Sequence, residues 1–202
     1  MTLINPGFMS PGRRKGHLPP GQSEVKDWPV LTYGPTPNIS TREWMLLVDG
    51  EVAKAIKLSW AEFNQLPRTN LTTDIHCVTR WSRLGMQWEG VSIDELIKLA
   101  GGLTDDGTFL IASSYGGYTT NLPVADVTRG QAMVATHADG EPLSPEHGGP
   151  ARLFVPHLYF WKSAKYVNKL TFTGHDHPGF WERNGYHNYG DPWKEERYDG
   201  DA

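Results

Sequence analysis

The stretch DIHCVTRWSRLGMQWEGVSIDELI, residues 74–97, runs from the end of a β-rich segment through the lone cysteine of the chain to the start of a helix. Residues 71–78 are rich in strand-forming types, whereas Ser92 and Glu95 have capping-box spacing and Gly101-Gly102 supplies a helix stop. Moving outward, Ser59 and Glu62 repeat the capping device ahead of Leu66-Pro67, which predicts a second short helix. Residues 44–48 and 51–58 flank Asp49-Gly50, a two-residue turn signal, and are expected to pair as an antiparallel hairpin. Further strands are expected at 108–112, 118–122, 131–136, 151–155 and 165–173. Strands outnumber helices, and neither a βαβ rhythm nor a repeat period appears. The fold class is therefore α+β, mixed and strand-rich, rather than a doubly wound sheet.

The chain has 202 residues, 19 Lys+Arg against 23 Asp+Glu and a net charge of −4, which gives no electrostatic case for nucleic acid. The longest apolar run, residues 153–161, is broken by Pro156 and His157 and falls short of the ~20 residues of a membrane span. With 8 Trp, 8 Tyr and 7 Phe there is enough bulk to fill one core. Residues 1–27, punctuated by Gly and Pro, read as an extended or mobile arm, and residues 28–202 as a single domain ending in a surface tail. The proline-rich segment 29–37 is expected to wrap over that domain in extended form. Arg13-Arg14 resemble a twin-arginine export signal, but GHLPPG follows where an apolar region should, so a cytoplasmic location is expected.

Three features could carry chemistry. The single Cys77 excludes an intramolecular disulfide and paired-cysteine zinc sites. With Arg80 and Arg83 close behind, its thiol is a candidate ligand for a soft metal; a buried structural cysteine is the alternative. The basic loop Lys162, Ser163, Lys165 suits a phosphate, or is a solvated turn. His175, Asp176, His177, His187 and Asp191 in the tail suggest a divalent metal site, against a loop packed by Phe180, Trp181, Tyr186 and Trp193. A nucleophilic Cys77 with His76, His137 or His147 as base is a further option, although His76 is adjacent on the strand and faces away.

In combination, DIHCVTRWSRLGMQWEGVSIDELI, YGGYTTNLPVADV and DGEPLSPEHGGPARLFVPHLYFWKSAKYVNKLTF, in this order and spacing, resemble the molybdopterin-binding domain of the sulfite oxidase family. The tail PGFWERNGYHNYGDPW is similar to that of short bacterial sulfite oxidase-like oxidoreductases. The resemblance implies a sulfite oxidase-like molybdopterin-binding fold and transfer of an oxygen atom to or from a small substrate of sulfite, sulfoxide or N-oxide type. It implies Cys77 as the molybdenum ligand and a pyranopterin dithiolene in its monophosphate form. It also implies His147 and Arg152 as pterin contacts, Ser163, Ala164 and Lys165 as the phosphate loop, and Ser113 as a further cofactor contact. Tyr118 falls where the family places an active-site tyrosine, whose hydroxyl could donate to an oxo group or to substrate, and Arg80 and Arg83 are expected to line the entrance.

Where sulfite oxidases carry an Arg-Asn-His segment this chain has Leu31, Thr32 and Tyr33, so one substrate-binding cation is absent. Nothing in the sequence supplies haem or iron–sulfur ligation, so a separate electron-transfer partner is expected. Without the dimerisation domain of the animal enzymes the chain is expected to be a monomer. The alternatives are a non-catalytic pterin-binding module and a zinc-dependent hydrolase using the tail histidines.

Overall fold

The computed structural model describes residues 18–201. The Arg13-Arg14 pair and most of the expected arm lie outside the described residues. Two sheets carry the chain. In the first, β1 (Ser23–Glu24), β4 (Thr69–His76), β5 (Trp81–Ser92), β8 (Met133–Ala138), β9 (Glu141–Pro142) and β10 (Arg152–Phe154) assemble around β5. The second runs in the order β3 (Ile56–Ser59), β2 (Met45–Gly50), β11 (Val167–Thr173), β6 (Phe109–Ser114), β7 (Thr119–Pro123). Its β11 is parallel to β2 and antiparallel to β6, so the sheet is mixed. The α-helices are short: α1 (Trp60–Asn64), closed by the Ser59–Glu62 capping box, and α2 (Ile93–Leu99), whose first turn is capped by Ser92. The strand-rich α+β reading of the sequence therefore holds.

Period-two alternation points Leu46 and Val48 of β2, Leu110 and Ala112 of β6, and Leu170 and Phe172 of β11 into one apolar core, which α2 caps with Ile93 and Leu96. A second, more aromatic cluster joins Ile75, Met86, Trp88, Phe154, Tyr159 and Trp161 around Cys77. The second cluster underlies the site.

Three expectations change. The hairpin exists, with Met45 opposite Ser59 and Val48 opposite Ile56, but β2 continues through Asp49 and Gly50 because both residues pair with β11. The return strand is consequently only Ile56–Ser59 instead of 51–58. Strand β5, central to the first sheet, was not among the expected strands. Gly90 is required there: a Cβ would stand 2.2 Å from the Val134 carbonyl oxygen of β8, at the step where the β5–β8 register shifts. Finally, the chain is already docked at Ser23, which pairs in parallel with Trp81 of β5.

Candidate active site

Cys77 is the first residue after β4 and opens the turn into β5. Its N–H donates to Trp81 O (2.9 Å), its carbonyl accepts from Arg80 N (3.1 Å), and Gln22 Nε2 reaches the same carbonyl (3.0 Å). The turn closes because Arg80 adopts a left-handed backbone, φ 72°. That conformation sends the Arg80 side chain outward, against Gly21 and beside Glu195 and Arg197. Arg83 pairs with Asp139 (2.6 Å) on the surface. Neither arginine lines the site, contrary to expectation.

The Cys77 side chain opens into a cavity of about 860 Å³, within the ~300–1,000 Å³ typical of cofactor and ligand sites. Its walls come from six segments distant in sequence: the strap Trp28 to Pro37, the Cys77 turn through Trp81, the turn Tyr115 to Tyr118, Arg152 of β10, the loop around Phe160 to Tyr166, and the tail residues Trp181 and Tyr186. Burial pushes the Cys77 thiol up; the Thr79 hydroxyl, which donates to Sγ at 3.2 Å, and the Arg197 cation act in the opposite direction. The cations that act on the sulfur are thus Arg197, Arg152 and Lys165 rather than Arg80 and Arg83.

Arg152, on β10, is 1% exposed, and burial pulls it down to about 9, so it remains a cation at neutral pH. Its Nη1 donates to His147 O (2.8 Å) and Nη2 to Ser163 O (2.6 Å), and its guanidinium lies 4.0 Å from the Phe160 ring centre. Nε is buried and has no partner. Ser163 gives its hydroxyl oxygen to Val155 N–H (2.9 Å), and Ala164 lines the wall beside it. Lys165 Nζ donates to the Leu31 and Glu146 carbonyls (2.8 and 2.5 Å), so it ties the strap to the rim; burial and the nearby Arg152 pull it down to about 8.

The remaining predicted residues are distributed differently. His147 stacks on Trp28 (3.8 Å) behind the cavity wall, donating Nε2–H to the Trp28 carbonyl (3.1 Å) and sharing Nδ1 with Ser144; burial lowers its pKa and keeps it neutral. Tyr118 lines the cavity, but its hydroxyl proton goes to Trp161 O (2.6 Å), and burial with the Glu182 charge raises its pKa well above the usual value. Its donation to an oxo group or substrate is therefore not seen. Ser113 does not reach this cavity. It faces a separate open depression with Met45, Leu47 and Lys57, because alternation along β6 turns Ala112 and Ser114 inward.

Lys162 is not part of the anion loop either. It is buried, with Nζ 2.7 Å from Glu182 Oε1 and donating to the carbonyls of Asn121 (2.9 Å) and Asn188 (2.6 Å). The tail is accordingly a wall rather than a surface loop, and Gly190, at φ 85°, presses flat against the Trp161 ring. Among the described residues no group of three or more His, Cys, Asp or Glu side chains converges as a metal site. His187 Nδ1 accepts from Tyr189 and Gly190 N–H, and Asp176 is bonded by Asn121 and Asn188.

A cysteine sulfur, a partnerless guanidinium nitrogen, an orphaned Trp81 indole N–H and a half-buried lysine thus meet in one ligand-sized cavity. Residues 33–181 match the family described as oxidoreductase molybdopterin binding domain. The chain belongs to that family. It is 43% identical over 189 residues to the uncharacterized oxidoreductase YuiH of Bacillus subtilis, covering 93% of this chain and 95% of that protein. It is 27% identical over 152 residues to the putative protein-methionine-sulfoxide reductase subunit YedZ1 of Azospira oryzae, covering 75% of this chain and 57% of that protein. Among solved structures, the sulfane dehydrogenase SoxCD of Paracoccus pantotrophus superposes with TM-score 0.64 at 24% identity, over 70% of this chain and 41% of that one, a likeness of fold.

The protein is therefore a molybdopterin-dependent oxidoreductase with the sulfite oxidase-like fold, and the family implies a molybdenum cofactor. The cavity fits that group: Cys77 offers the soft donor a molybdenum centre takes, and Arg152 Nε and Trp81 Nε1 are buried N–H donors awaiting an acceptor. The aromatic walls were the part that sequence reading missed. Phe160, Trp161, Trp181 and Tyr186 are ordinary core types in a sequence, and only their convergence marks them.

Proposed function

We propose that this protein moves one oxygen atom between a small substrate and water, with molybdenum bound by Cys77 and by one pyranopterin in its monophosphate form. The observation that carries this reading is the opening of the buried Cys77 side chain into the same cavity as Arg152, Ser163 and Lys165. When bound, such a centre supplies two-electron oxygen-atom exchange. In the reducing direction a sulfoxide gains two electrons and two protons and leaves as thioether plus water; oxidation is the reverse.

The chain's own residues divide the remaining work. Arg152 and Lys165 present the positive charge that an anionic cofactor needs, and Ser163 fixes the loop between them through its bond to Val155. Cys77 presents its sulfur from a turn held on both sides by backbone bonds, so the ligand direction is set before the cofactor arrives. Trp28, Trp81 and Phe160 exclude water from the Arg152 side of the cavity.

Electrons pass singly to or from a separate carrier protein, a reading supported by the Azospira oryzae relative being named a reductase subunit. No helix among the described residues is long and apolar enough to cross a membrane.

Metal analysis of protein made in a host that synthesises the cofactor tests the reading: about one molybdenum per chain is expected, and zinc alone would overturn it. Cys77→Ser should abolish the sulfur-to-metal absorption band and turnover while leaving the fold. An unchanged spectrum would remove Cys77 as ligand.

A further inference from the structure

The cavity has two chemically different walls. Around Arg152, the rings of Trp28, Trp81 and Phe160 form one contact network, with the guanidinium over Phe160 and Trp28. Across from it a second network runs from Tyr33 through Phe180 (4.2 Å) and Trp181 (5.9 Å) to Tyr186, which stacks on Trp181 (4.8 Å) and meets Trp161 edge-on (5.1 Å). Tyr33 comes from the strap and Trp181 and Tyr186 from the tail, so strap and tail meet at this wall. Tyr33 is 65% exposed, far more than the buried aromatics behind it. A large ring so open at a cavity mouth is available to a ligand.

Charge separates the walls further. Among the described residues lining the cavity the cations are Arg152 and Lys165, and no carboxylate lines it. Both cations are largely engaged at the wall, Arg152 by the carbonyls of His147 and Ser163 with only Nε free, and Lys165 by those of Leu31 and Glu146. Arg152 stands over Trp28 and Phe160, whereas the Lys165 ammonium is held on the Leu31 carbonyl of the strap, two residues from Tyr33. An oxyanion laid against the Tyr33 and Trp181 rings would lose water to an apolar face, with Lys165 already committed to two carbonyls, whereas a neutral S–O or N–O dipole carrying an apolar arm loses little water and gains ring contact.

We infer that Tyr33 and Trp181 form a specificity slot for the aryl or bulky alkyl arm of an uncharged S-oxide or N-oxide, and that the slot disfavours sulfite. This rests on the oxygen-transfer reading above. It gives Tyr33, in the segment Leu31-Thr32-Tyr33 that lacks a cation, a role of its own in place of oxyanion binding. Val30 and Leu31, 47% and 48% exposed beside it, extend the same apolar rim outward.

The experiment compares cofactor-loaded wild type with Tyr33→Ala and Trp181→Phe, using methyl phenyl sulfoxide, dimethyl sulfoxide and sulfite, with a reduced or oxidised dye as electron carrier. Wild type should favour the phenyl compound over dimethyl sulfoxide in kcat/KM by about tenfold, the scale of one buried ring contact, and Tyr33→Ala should erase most of that preference through KM. Independently of turnover, methyl phenyl sulfone, which resembles the substrate, should quench tryptophan fluorescence and lose affinity about threefold to tenfold in Tyr33→Ala. Sulfite oxidised as efficiently as the phenyl sulfoxide is reduced, or a phenyl preference and sulfone affinity indifferent to both substitutions, would overturn the slot. Tyr33-dependent binding of the sulfone without transfer to any compound would leave the slot standing and remove the oxygen-transfer reading.

Discussion

Lys162 Nζ lies 2.7 Å from Glu182 Oε1, with both side chains about 1% exposed. The same Oε1 accepts from Thr120 Oγ1 and from the Trp161 indole N–H, each at 3.0 Å, so one carboxylate joins β7, the loop after β10 and the tail. A buried charge left without its partner is costly, and Glu182→Gln or Lys162→Met should each lower unfolding free energy by about 3–5 kcal/mol. Urea unfolding measures this. The double change Lys162→Met with Glu182→Leu should recover part of the loss, since no lone charge remains; a double variant no better than either single one would contradict the account.

Arg152 has a different sensitivity, because its fork is already engaged by two carbonyls and only Nε is free. Lysine keeps the charge but cannot span the His147 and Ser163 carbonyls together with a third acceptor. Arg152→Lys should therefore fold and yet retain about tenfold less molybdenum after extended dialysis, the effect of one lost charge-assisted hydrogen bond at roughly 1.5–3 kcal/mol. Metal content per chain equal to wild type would place the cofactor elsewhere.

The same contrast explains which parts of the site were legible in the sequence. Cys77, Arg152, Ser163 and Lys165, expected from motifs with distinctive neighbours, line one cavity, and the capped starts at Ser59 and Ser92 are local chemistry. Lys162 was misjudged because its burial depends on Glu182 and Asn188, which approach only when the tail folds back. Arg80 was misjudged because a single left-handed φ reverses its direction. Strand β5 was not among the expected strands, and its two glycines take their meaning only from neighbours: Gly85 meets the bulge at Asp74 and Gly90 a close approach of β8. Tertiary closure, not local pattern, decided each of these.

Lys165 gives a pH signature of its own. Its folded-state pKa, about 8, lies below the ordinary 10.5, so in the cofactor-free protein the lysine loses its proton as pH rises through 8. A phosphate monoester is doubly charged above a pKa of about 6. Cofactor uptake should therefore be strongest between about pH 6.5 and 8 and fall above it, while Lys165→Met should be weaker throughout and begin its decline only near pH 9, where Arg152 titrates. Stability moves oppositely: between pH 8 and 10.5 the unfolded chain binds more protons, so the cofactor-free fold gains stability with rising pH. Reconstitution and thermal melts across this range check both signs.

Arg197 is 3% exposed and reaches from the end of the chain to the Cys77 turn. Its Nη1 donates to Val78 O (2.7 Å), its Nη2 to Pro20 O (3.2 Å), and its guanidinium lies 5.0 Å from the Tyr159 ring centre. It therefore fixes the residue next to Cys77 against Pro20, ahead of β1, and the aromatic cluster. Arg197→Met keeps much of the stem packing and removes the donors, leaving the Val78 carbonyl unsatisfied, a loss of about 1–3 kcal/mol. Freed of that restraint, the turn should open locally more often, and alkylation of Cys77 in cofactor-free protein should accelerate about tenfold at a pH where the global fold is intact. Arg197→Lys, able to satisfy one carbonyl but not two, should fall between the two proteins. An alkylation rate equal to wild type in Arg197→Met would show that the turn is held by its own bonds to Trp81 and Gln22 alone.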